Sequence, residues 1–454
     1  MSFMPNQATH IPSYLIIGLG QTGLSCVRFL VKQGYTVAVM DTRQKPPGLV
    51  TLQAEYPEVI VHVGGLDKNW LQQADVIVIS PGVDPRLPEI VAATEVGVEL
   101  VGDIELFARH ANAPVVAITG SNGKSTVTTL LSEMVEQTGL TMRVGGNLGT
   151  PALDLICEPA PNFYILELSS FQLETVTSLN AFVSTVLNVS PDHLDRYNSI
   201  QDYQTIKSRI YNGDGVMVIN RDDVIVNKLA RPGRNQIGFS LQASEGIDFG
   251  LINLNGQQWL AEGHQALMAV VDLKIVGKHN IANALAALAL GSAMGLAMSA
   301  MLVALQQYYG LAHRCRLVAD HNDVRWFNDS KATNVGASIA AIEGLDASGK
   351  IILIAGGEGK NQDFSALTDT LQQHVYAVIL IGRDGKLIAE VIPKQVDTYY
   401  AKTMQDAVNQ ARVIACAGDS VLLSPACASF DMFKDYVERG NAFETAVKAV
   451  ADER

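Results

Sequence analysis

Residues 115–126 read VVAITGSNGKST. An apolar, β-branched run leads into Gly120, Ser121, Asn122 and Gly123, then Lys124, Ser125 and Thr126, and a helical run follows. A turn of this kind between a buried strand and a helix can present successive backbone N–H groups to phosphate oxygens. The lysine can reach the β/γ oxygens, and the hydroxyl of Ser125 can ligate Mg²⁺. The usual phosphate loop has about four residues between its two glycines; here Gly120 and Gly123 have two between them. The stretch is therefore a shortened variant, and it predicts a nucleotide-phosphate site at the end of a parallel strand.

Working outward, strand-like runs alternate with helix-length segments almost throughout, the pattern of α/β domains with parallel sheets. Tyr14–Ile17, Thr36–Met40 and Val76–Ile79 form one series, Val115–Ile118, Tyr164–Leu168 and Val183–Asn188 a second, and Ile351–Ala355, Ala377–Ile381 and Ser420–Leu423 a third. Boundaries are expected near Gly102 and Gly310, giving segments 1–102, 103–310 and 311–454. Met217–Asn220 and Phe239–Leu260 read as an antiparallel insertion in the middle segment. The 25 residues Ile281–Leu305 carry no charge, more than the roughly 20 that span a bilayer. Their Ala, Gly, Ser and Met content gains little from lipid. Two buried helices are expected, broken at Gly295, with Ser299 capping a second that runs to Tyr309.

The chain has 454 residues, 48% hydrophobic and 17% charged, as in globular proteins of several domains. A net charge of −13 argues against a broad nucleic-acid surface, though not against phosphates held locally by N–H groups and lysines. The five cysteines are scattered without a C-x-x-C pair, which fits a reducing, cytoplasmic setting rather than disulfides or a zinc site. No signal peptide is visible, and no membrane or nucleic-acid partner is expected.

Two further constellations carry chemistry. In YLIIGLGQTG, residues 14–23, Gly18, Gly20 and Gly23 form G-x-G-x-x-G between a strand and a helix, and Asp41 ends the next strand. This predicts nucleotide binding and leaves the nucleotide open; NAD is the naive choice. In YILELSSFQLE, Glu167 closes an apolar strand, and in NVSPDHLDRY, His193 follows another. Both strand ends can face the phosphate loop, so both are candidate metal ligands. A salt-bridged strand end and an ordinary loop histidine fit equally well. Lys207, in YQTIKSRIY, reads on its own as a surface helix lysine.

Taken together, TGSNGKST, ELSSFQLE, NVSPDHLDRY, GKHNIANALAA, GLAHRCR, NDSKATN and LSPACASFDMF, in that order, resemble the Mur ligases, which build the peptide stem of bacterial cell-wall precursors. The resemblance implies three domains: a Rossmann-like N-terminal domain, a P-loop-type central ATPase domain and a Rossmann-like C-terminal domain. It implies a cytoplasmic, ATP- and Mg²⁺-dependent amide ligase acting as a monomer in peptidoglycan precursor synthesis. That enzyme would join D-glutamate to UDP-N-acetylmuramoyl-L-alanine through an acyl phosphate.

By the same resemblance, Gln21, Thr22, Asp41, Thr42, Arg43, Gly82, Asn147 and His193 would surround the UDP substrate. Gly120, Ser121, Asn122, Gly123, Lys124, Ser125, Thr126, Asn283, Arg314 and Asp329 would hold ATP. Ser125, Glu167, His193 and a carbamylated Lys207 would hold magnesium. Arg314 and Lys331 would meet the transferring phosphoryl group, so that Lys124, Glu167, His193, Lys207, Arg314 and Lys331 form the catalytic set. Thr333, Lys360 and Ser429 would bind D-glutamate. Tyr436 stands where the family often has Phe against the amino-acid substrate. An NAD-dependent oxidoreductase built on Gly18–Gly23 is the alternative, and it leaves the phosphate loop unexplained. A nucleotide sensor without turnover is a third reading.

Overall fold

The structure is a computed structural model that describes residues 13–192, 196–197, 199–275, 277–345, 350–360 and 362–452. These residues pack as two compact units. One is drawn from Met1–Val189, His193–Phe239 and Ala286–Met301; the other is drawn from Ser190–Asp192, Ser240–Leu285 and Leu302–Arg454.

The first unit holds two parallel sheets. Strands β1 (Ser13–Ile17), β2 (Thr36–Asp41), β3 (Ile60–Val63), β4 (Val76–Ile79) and β5 (Glu99–Gly102) lie in the order β3-β2-β1-β4-β5. This is the Rossmann order as far as its fifth strand, and its direction reverses between β1 and β4. Strand side chains alternate between faces. Leu15, Ile17, Ala38 and Met40 enter one apolar cluster, while Tyr14, Ile16, Val37 and Val39 enter another. Both faces are therefore covered, as parallel sheets require.

The second sheet contains β6 (Val115–Thr119), β7 (Met142–Gly146), β8 (Phe163–Glu167), β9 (Val183–Val186), β10 (Val216–Asn220) and β11 (Gln236–Phe239). Its order in this unit is β11-β10-β9-β6-β8-β7, and every pairing among them is parallel. Val115, Ala117, Leu166 and Met217 share one core with Tyr14 and Ile16 of the first sheet, so the two sheets are joined by continuous apolar packing. Met217–Asn220 does not belong to an antiparallel insertion: Val216–Asn220 extends the parallel sheet, pairing with β9 and β11. Its short apolar run carries no mark of strand direction.

The second unit holds an antiparallel meander, β12 (Phe249–Leu254), β13 (Gln257–Glu262) and β14 (Gln265–Ala269). This is the part of the expected insertion that does form. The unit also holds a six-stranded sheet of β15 (Arg316–His321), β16 (Val324–Asn328), β17 (Ile351–Gly356), β18 (Val375–Ile381), β19 (Asp397–Tyr400) and β20 (Ser420–Leu423), ordered β15-β16-β20-β17-β18-β19. Only the β15 edge pairs antiparallel.

The uncharged stretch forms two helices, Lys278–Ala293 and Met298–Gln307. Gly295 in the break adopts φ +77°, a left-handed conformation that glycine takes without strain. Ser299 lies inside the second helix rather than capping it, and the helix stops at Gln307. No described helix is long and apolar enough to cross a membrane.

Candidate active site

At the reversal between β1 and β4, where open α/β sheets bind ligands beyond the strand ends, a cavity of about 530 Å³ opens in the first unit. Gln21, Thr22, Asp41, Thr42, Arg43, Gly82 and Asn147 all line it, which brings together seven residues scattered over 127 positions of sequence. The glycines divide into two kinds. A Cβ on Gly18 would lie 2.8 Å from that of Ser80, and one on Gly23 would lie 2.0 Å from the Gly18 carbonyl oxygen. These two make the turn itself. A Cβ on Gly20 or Gly82 would meet nothing within 4 Å, so these two keep the cavity wall low.

Asp41 is buried and fully engaged. Its Oδ2 accepts from the Leu19 N–H at 2.7 Å and from Arg43 Nη2 at 2.7 Å; its Oδ1 accepts from the Arg43 N–H and Nε. Burial opposes ionisation, but these donors outweigh it and hold the carboxyl below its usual range. An acid that pins the glycine turn and aims Arg43 is not free to chelate a ribose, which weakens the NAD reading of the motif.

A second site lies where β6, β8 and β9 end. Gly123 starts the helix Lys124–Glu136 with φ +83°, so the loop turns sharply into a helix N-terminus, which favours anions. Lys124 folds back, its Nζ donating to the carbonyls of Gly120 at 2.8 Å and Ser121 at 3.0 Å. Asn188, at the end of the β9 run, staples the loop. Its backbone oxygen accepts from the Ser121 N–H, its Oδ1 accepts from the Asn122 N–H, and its Nδ2 donates to the Asn122 carbonyl. The N–H groups of Ser121 and Asn122 are thus committed to Asn188 rather than aimed at a phosphate. The first turn of the helix, from Lys124 to Thr126, lies at the end whose N–H groups have no partner within the helix and which favours anions. Asn188 was legible only as a strand-end polar residue.

Glu167 closes β8 beside the loop, paired in register with Ile118 of β6. Its Oε1 accepts from Asn147 Nδ2 at 2.6 Å, and its Oε2 is buried with no hydrogen-bond partner. A buried carboxylate oxygen without a donor suits a hard cation such as Mg²⁺, so the residue fits the metal that the sequence implies. Ser125, the other oxygen donor that the sequence implies, is buried in the first turn of the helix. Among the described residues no three His, Cys, Asp or Glu side chains converge; His193 lies outside the described residues.

Lys207 is not a surface lysine. It is 1% exposed, with Nζ donating to the Gly120 carbonyl at 3.0 Å and to Thr119 Oγ1 at 3.4 Å, over the ring of Tyr203. The helix Ile200–Ser208 is short and weakly patterned, so its sequence does not reveal that this face turns inward.

In the second unit, the loops after β16, β17 and β20 lie at the same end of the six-stranded sheet. Asp329 follows β16; its Oδ1 accepts from the Cys315 N–H and its Oδ2 from Ser424 Oγ. Burial pushes this carboxyl up to about 7 in spite of those donors. Lys331 sets its ammonium 3.8 Å from the Tyr436 ring centroid, a cation–π contact that Phe would also make. Thr333 follows in the same loop. Lys360, in the β17 loop, adopts φ +50°, and Ser429, in the β20 loop, is buried. These two loops pair through reciprocal hydrogen bonds between Glu358 and Ala428.

Arg439, which sequence reasoning passed over, is buried and donates to Ser330 Oγ, Ser330 O and Cys427 O, tying the β16 loop to the β20 loop. Arg314 precedes β15 in this unit, and Asn283 is buried in the helix Lys278–Ala293, where its Nδ2 donates to Asn280 Oδ1.

Comparison with known proteins agrees with this anatomy. Residues 12–102 match the Mur ligase MurD-like N-terminal domain, 118–291 the Mur ligase middle domain and 313–427 the Mur ligase glutamate ligase domain. The UDP-N-acetylmuramoylalanine–D-glutamate ligase of Nitrosococcus oceani is 51% identical over 446 residues, covering 98% of each chain. The chain belongs to the Mur ligase family. The enzyme of the same name from Pseudomonas aeruginosa is 51% identical over 96% of this chain and 98% of its own.

Among solved structures, UDP-N-acetylmuramate-alanine ligase MurC from Thermotoga maritima superposes with a TM-score of 0.60 at 18% identity, covering 97% of this chain and all of its own. A pseudomurein peptide ligase type C from Methanothermus fervidus gives 0.59 at 16%, with the same coverage. At those identities the likeness is one of fold. This Mur ligase therefore has three α/β domains, and its first glycine motif belongs to a MurD-like domain. An oxidoreductase reading finds no support.

Proposed function

We propose that this Mur ligase joins the amine of D-glutamate to the alanyl carboxylate of UDP-N-acetylmuramoyl-L-alanine, with cleavage of ATP to ADP and phosphate. One observation carries the reading. Asn147 lines the nucleotide-sized cavity and also holds Glu167 beside the phosphate loop, at 2.6 Å. A nucleotide-linked carboxylate and an ATP phosphate would thus meet across a single side chain. The relatives at 51% identity carry the same activity in their names.

The chemistry asks for charge neutralisation and alignment. A carboxylate oxygen attacks the γ-phosphorus and ADP leaves. The amine then adds to the carbonyl of the acyl phosphate, and the tetrahedral intermediate expels phosphate as the amine loses its proton. Lys124 and the helix N-terminus behind it would steady the phosphates, and Arg314 and Lys331 the transferring group. Magnesium, when bound, would supply charge neutralisation at the phosphates, with Glu167 and Ser125 as its oxygen donors, helped by His193 and a carbamylated Lys207. Asn283 and Asp329 would hold adenine and ribose, and Thr333, Lys360 and Ser429 the carboxylates of D-glutamate. With domain limits of 1–102, 103–310 and 311–454, the magnesium ligands lie on the second domain and the D-glutamate set on the third, while ATP would be shared between Asn283 of the second and Asp329 of the third. The enzyme is taken to act as a cytoplasmic monomer.

ADP release should require UDP-N-acetylmuramoyl-L-alanine, ATP, Mg²⁺ and D-glutamate together. Turnover without D-glutamate, or with L-glutamate equally well, would reject the assignment. Calorimetry should in addition give micromolar binding of the UDP substrate and no heat with NAD, because Asp41 is already committed to Leu19 and Arg43. Micromolar NAD binding with no response to the UDP substrate would reverse the reading of the first domain.

A further inference from the structure

Asp103 begins the helix Asp103–His110 directly after β5. It is 2% exposed. Its Oδ2 accepts from Gln172 Nε2 at 3.1 Å, and its Oδ1 is buried with no partner. Gln172, in turn, is clamped at its other end: its Oε1 accepts from the Ser169 N–H at 3.1 Å and from Ser169 Oγ at 3.3 Å. An N–H can only donate and an ionised carboxylate can only accept, so both neighbours impose the same carboxamide orientation, with nitrogen toward Asp103. Gln172 is also part of the wall of the 530 Å³ cavity. Asp103 uses one of the two amide hydrogens, and the other remains for a ligand acceptor.

We propose that Asp103 is a positioning residue for the nucleotide-sugar site, fixing the Gln172 carboxamide so that it offers an N–H donor to the bound UDP-linked substrate. The inference rests on the proposed function. A ligand rich in carbonyl, hydroxyl and diphosphate oxygens is the chemistry such a donor recognises.

Asp103 is an expensive residue to keep for packing alone. Burial raises its carboxyl to about 6 against the Gln172 hydrogen bond and the helix N–H groups. An acid whose folded pKa is raised holds its proton more tightly in the folded state. The stability linked to it is present below the unfolded pKa and is lost as pH rises through about 6. At pH above that, the ionised carboxylate weakens the fold, and a neutral isostere should strengthen it.

Few charges face the group. Cys26 of the helix Gln21–Lys32 feels its field and is held as a thiol by burial. Glu174 and Arg196, paired at 2.6 Å, line the same small hollow. Glu105, on its own helix, is turned to the N–H groups of Thr177 and Ser178.

The test is calorimetry of the full chain with UDP-N-acetylmuramoyl-L-alanine, and with ADP as a control, between pH about 5.5 and 8, a window that brackets the Asp103 carboxyl raised to about 6. Losing a hydrogen bond to a charged group should weaken nucleotide-sugar binding about tenfold or more in Asp103→Ala, with ADP binding unchanged within about twofold. Gln172→Met should do the same, and the double variant should be no worse than the weaker single one. Wild-type affinity should fall as pH drops through about 6 more steeply than that of Asp103→Asn, which should also melt higher than wild type at neutral pH. Wild-type binding matched by Asp103→Ala, additive losses in the double variant, or identical pH profiles for wild type and Asp103→Asn would each overturn the inference alone. If Asp103→Ala does not fold, the comparison of Asp103→Asn with wild type decides. A wild type that binds no nucleotide sugar would remove the proposed function and this inference with it.

Discussion

Lys124→Ala should lower kcat about a thousandfold while leaving the fold intact. Removing one well-aimed donor from a developing transition-state charge costs about 10²–10³ in kcat, and a full cation on a transferring phosphoryl group lies at the upper end. The structure explains why the fold should survive. The Lys124 ammonium donates to carbonyls of its own loop, those of Gly120 and Ser121. The loop's shape is held separately by Asn188 through Ser121 and Asn122. Alanine is also the best residue for the helix position that Lys124 occupies. A thermal melt within a few degrees of wild type, with ADP release lost, is the expected pair of results. Lys124→Arg should not rescue, since a planar guanidinium fork lacks the compactness of an ammonium in this turn. Activity within about threefold of wild type in the alanine variant would take Lys124 out of phosphoryl transfer.

How much of this site was legible in the sequence depends on how local each signal is. The glycine turn and the phosphate loop are strand–turn–helix signatures contained in about ten residues, and both form where the chain predicts them. The residues around the first cavity came instead from the family resemblance. No local rule joins Gln21 to Asn147, yet both line the same 530 Å³. Pairings across sequence stayed hidden for the same reason. Asp103 and Gln172 are 69 residues apart, Asn122 and Asn188 are 66 apart, and neither pair has a spacing that marks it.

Direction and burial were the other losses. Met217–Asn220 is as apolar as a hairpin strand would be, and only its partners β9 and β11 make it parallel. Lys207 carries a charge that sequence rules send to the surface, and tertiary packing sends it inside.

That burial is the ground for the last expectation, that Lys207→Ala is nearly inactive and is partly rescued by a small carboxylate such as acetate. Two lysines donate to one oxygen atom: Lys124 Nζ lies 2.8 Å and Lys207 Nζ 3.0 Å from the Gly120 carbonyl. Two cations gathered on one acceptor repel each other, and more strongly away from water. Carbamylation would remove the conflict. The neutral amine of Lys207 adds carbon dioxide, an N–C bond forms, a proton leaves to solvent, and a cation becomes an anion. The remaining N–H can still donate to Gly120, while the new oxygens give magnesium the hard ligands it prefers. An unmodified ammonium has no lone pair to give and would repel the ion.

The reading predicts a particular pattern of recovery. Acetate can enter the space left by the truncated side chain and supply an oxygen ligand, so activity in Lys207→Ala should rise with acetate concentration and saturate. Wild type should not respond, and mass spectrometry of gently handled wild type should find 44 Da on the peptide carrying Lys207 (the mass of carbon dioxide, about 44, follows from the addition itself). Lys207→Arg should stay inactive, because a guanidinium cannot take up carbon dioxide and cannot ligate a cation. Full activity in a folded Lys207→Ala would exclude the carbamate. Rescue by methylamine instead of acetate would mean that Lys207 acts as a cation after all.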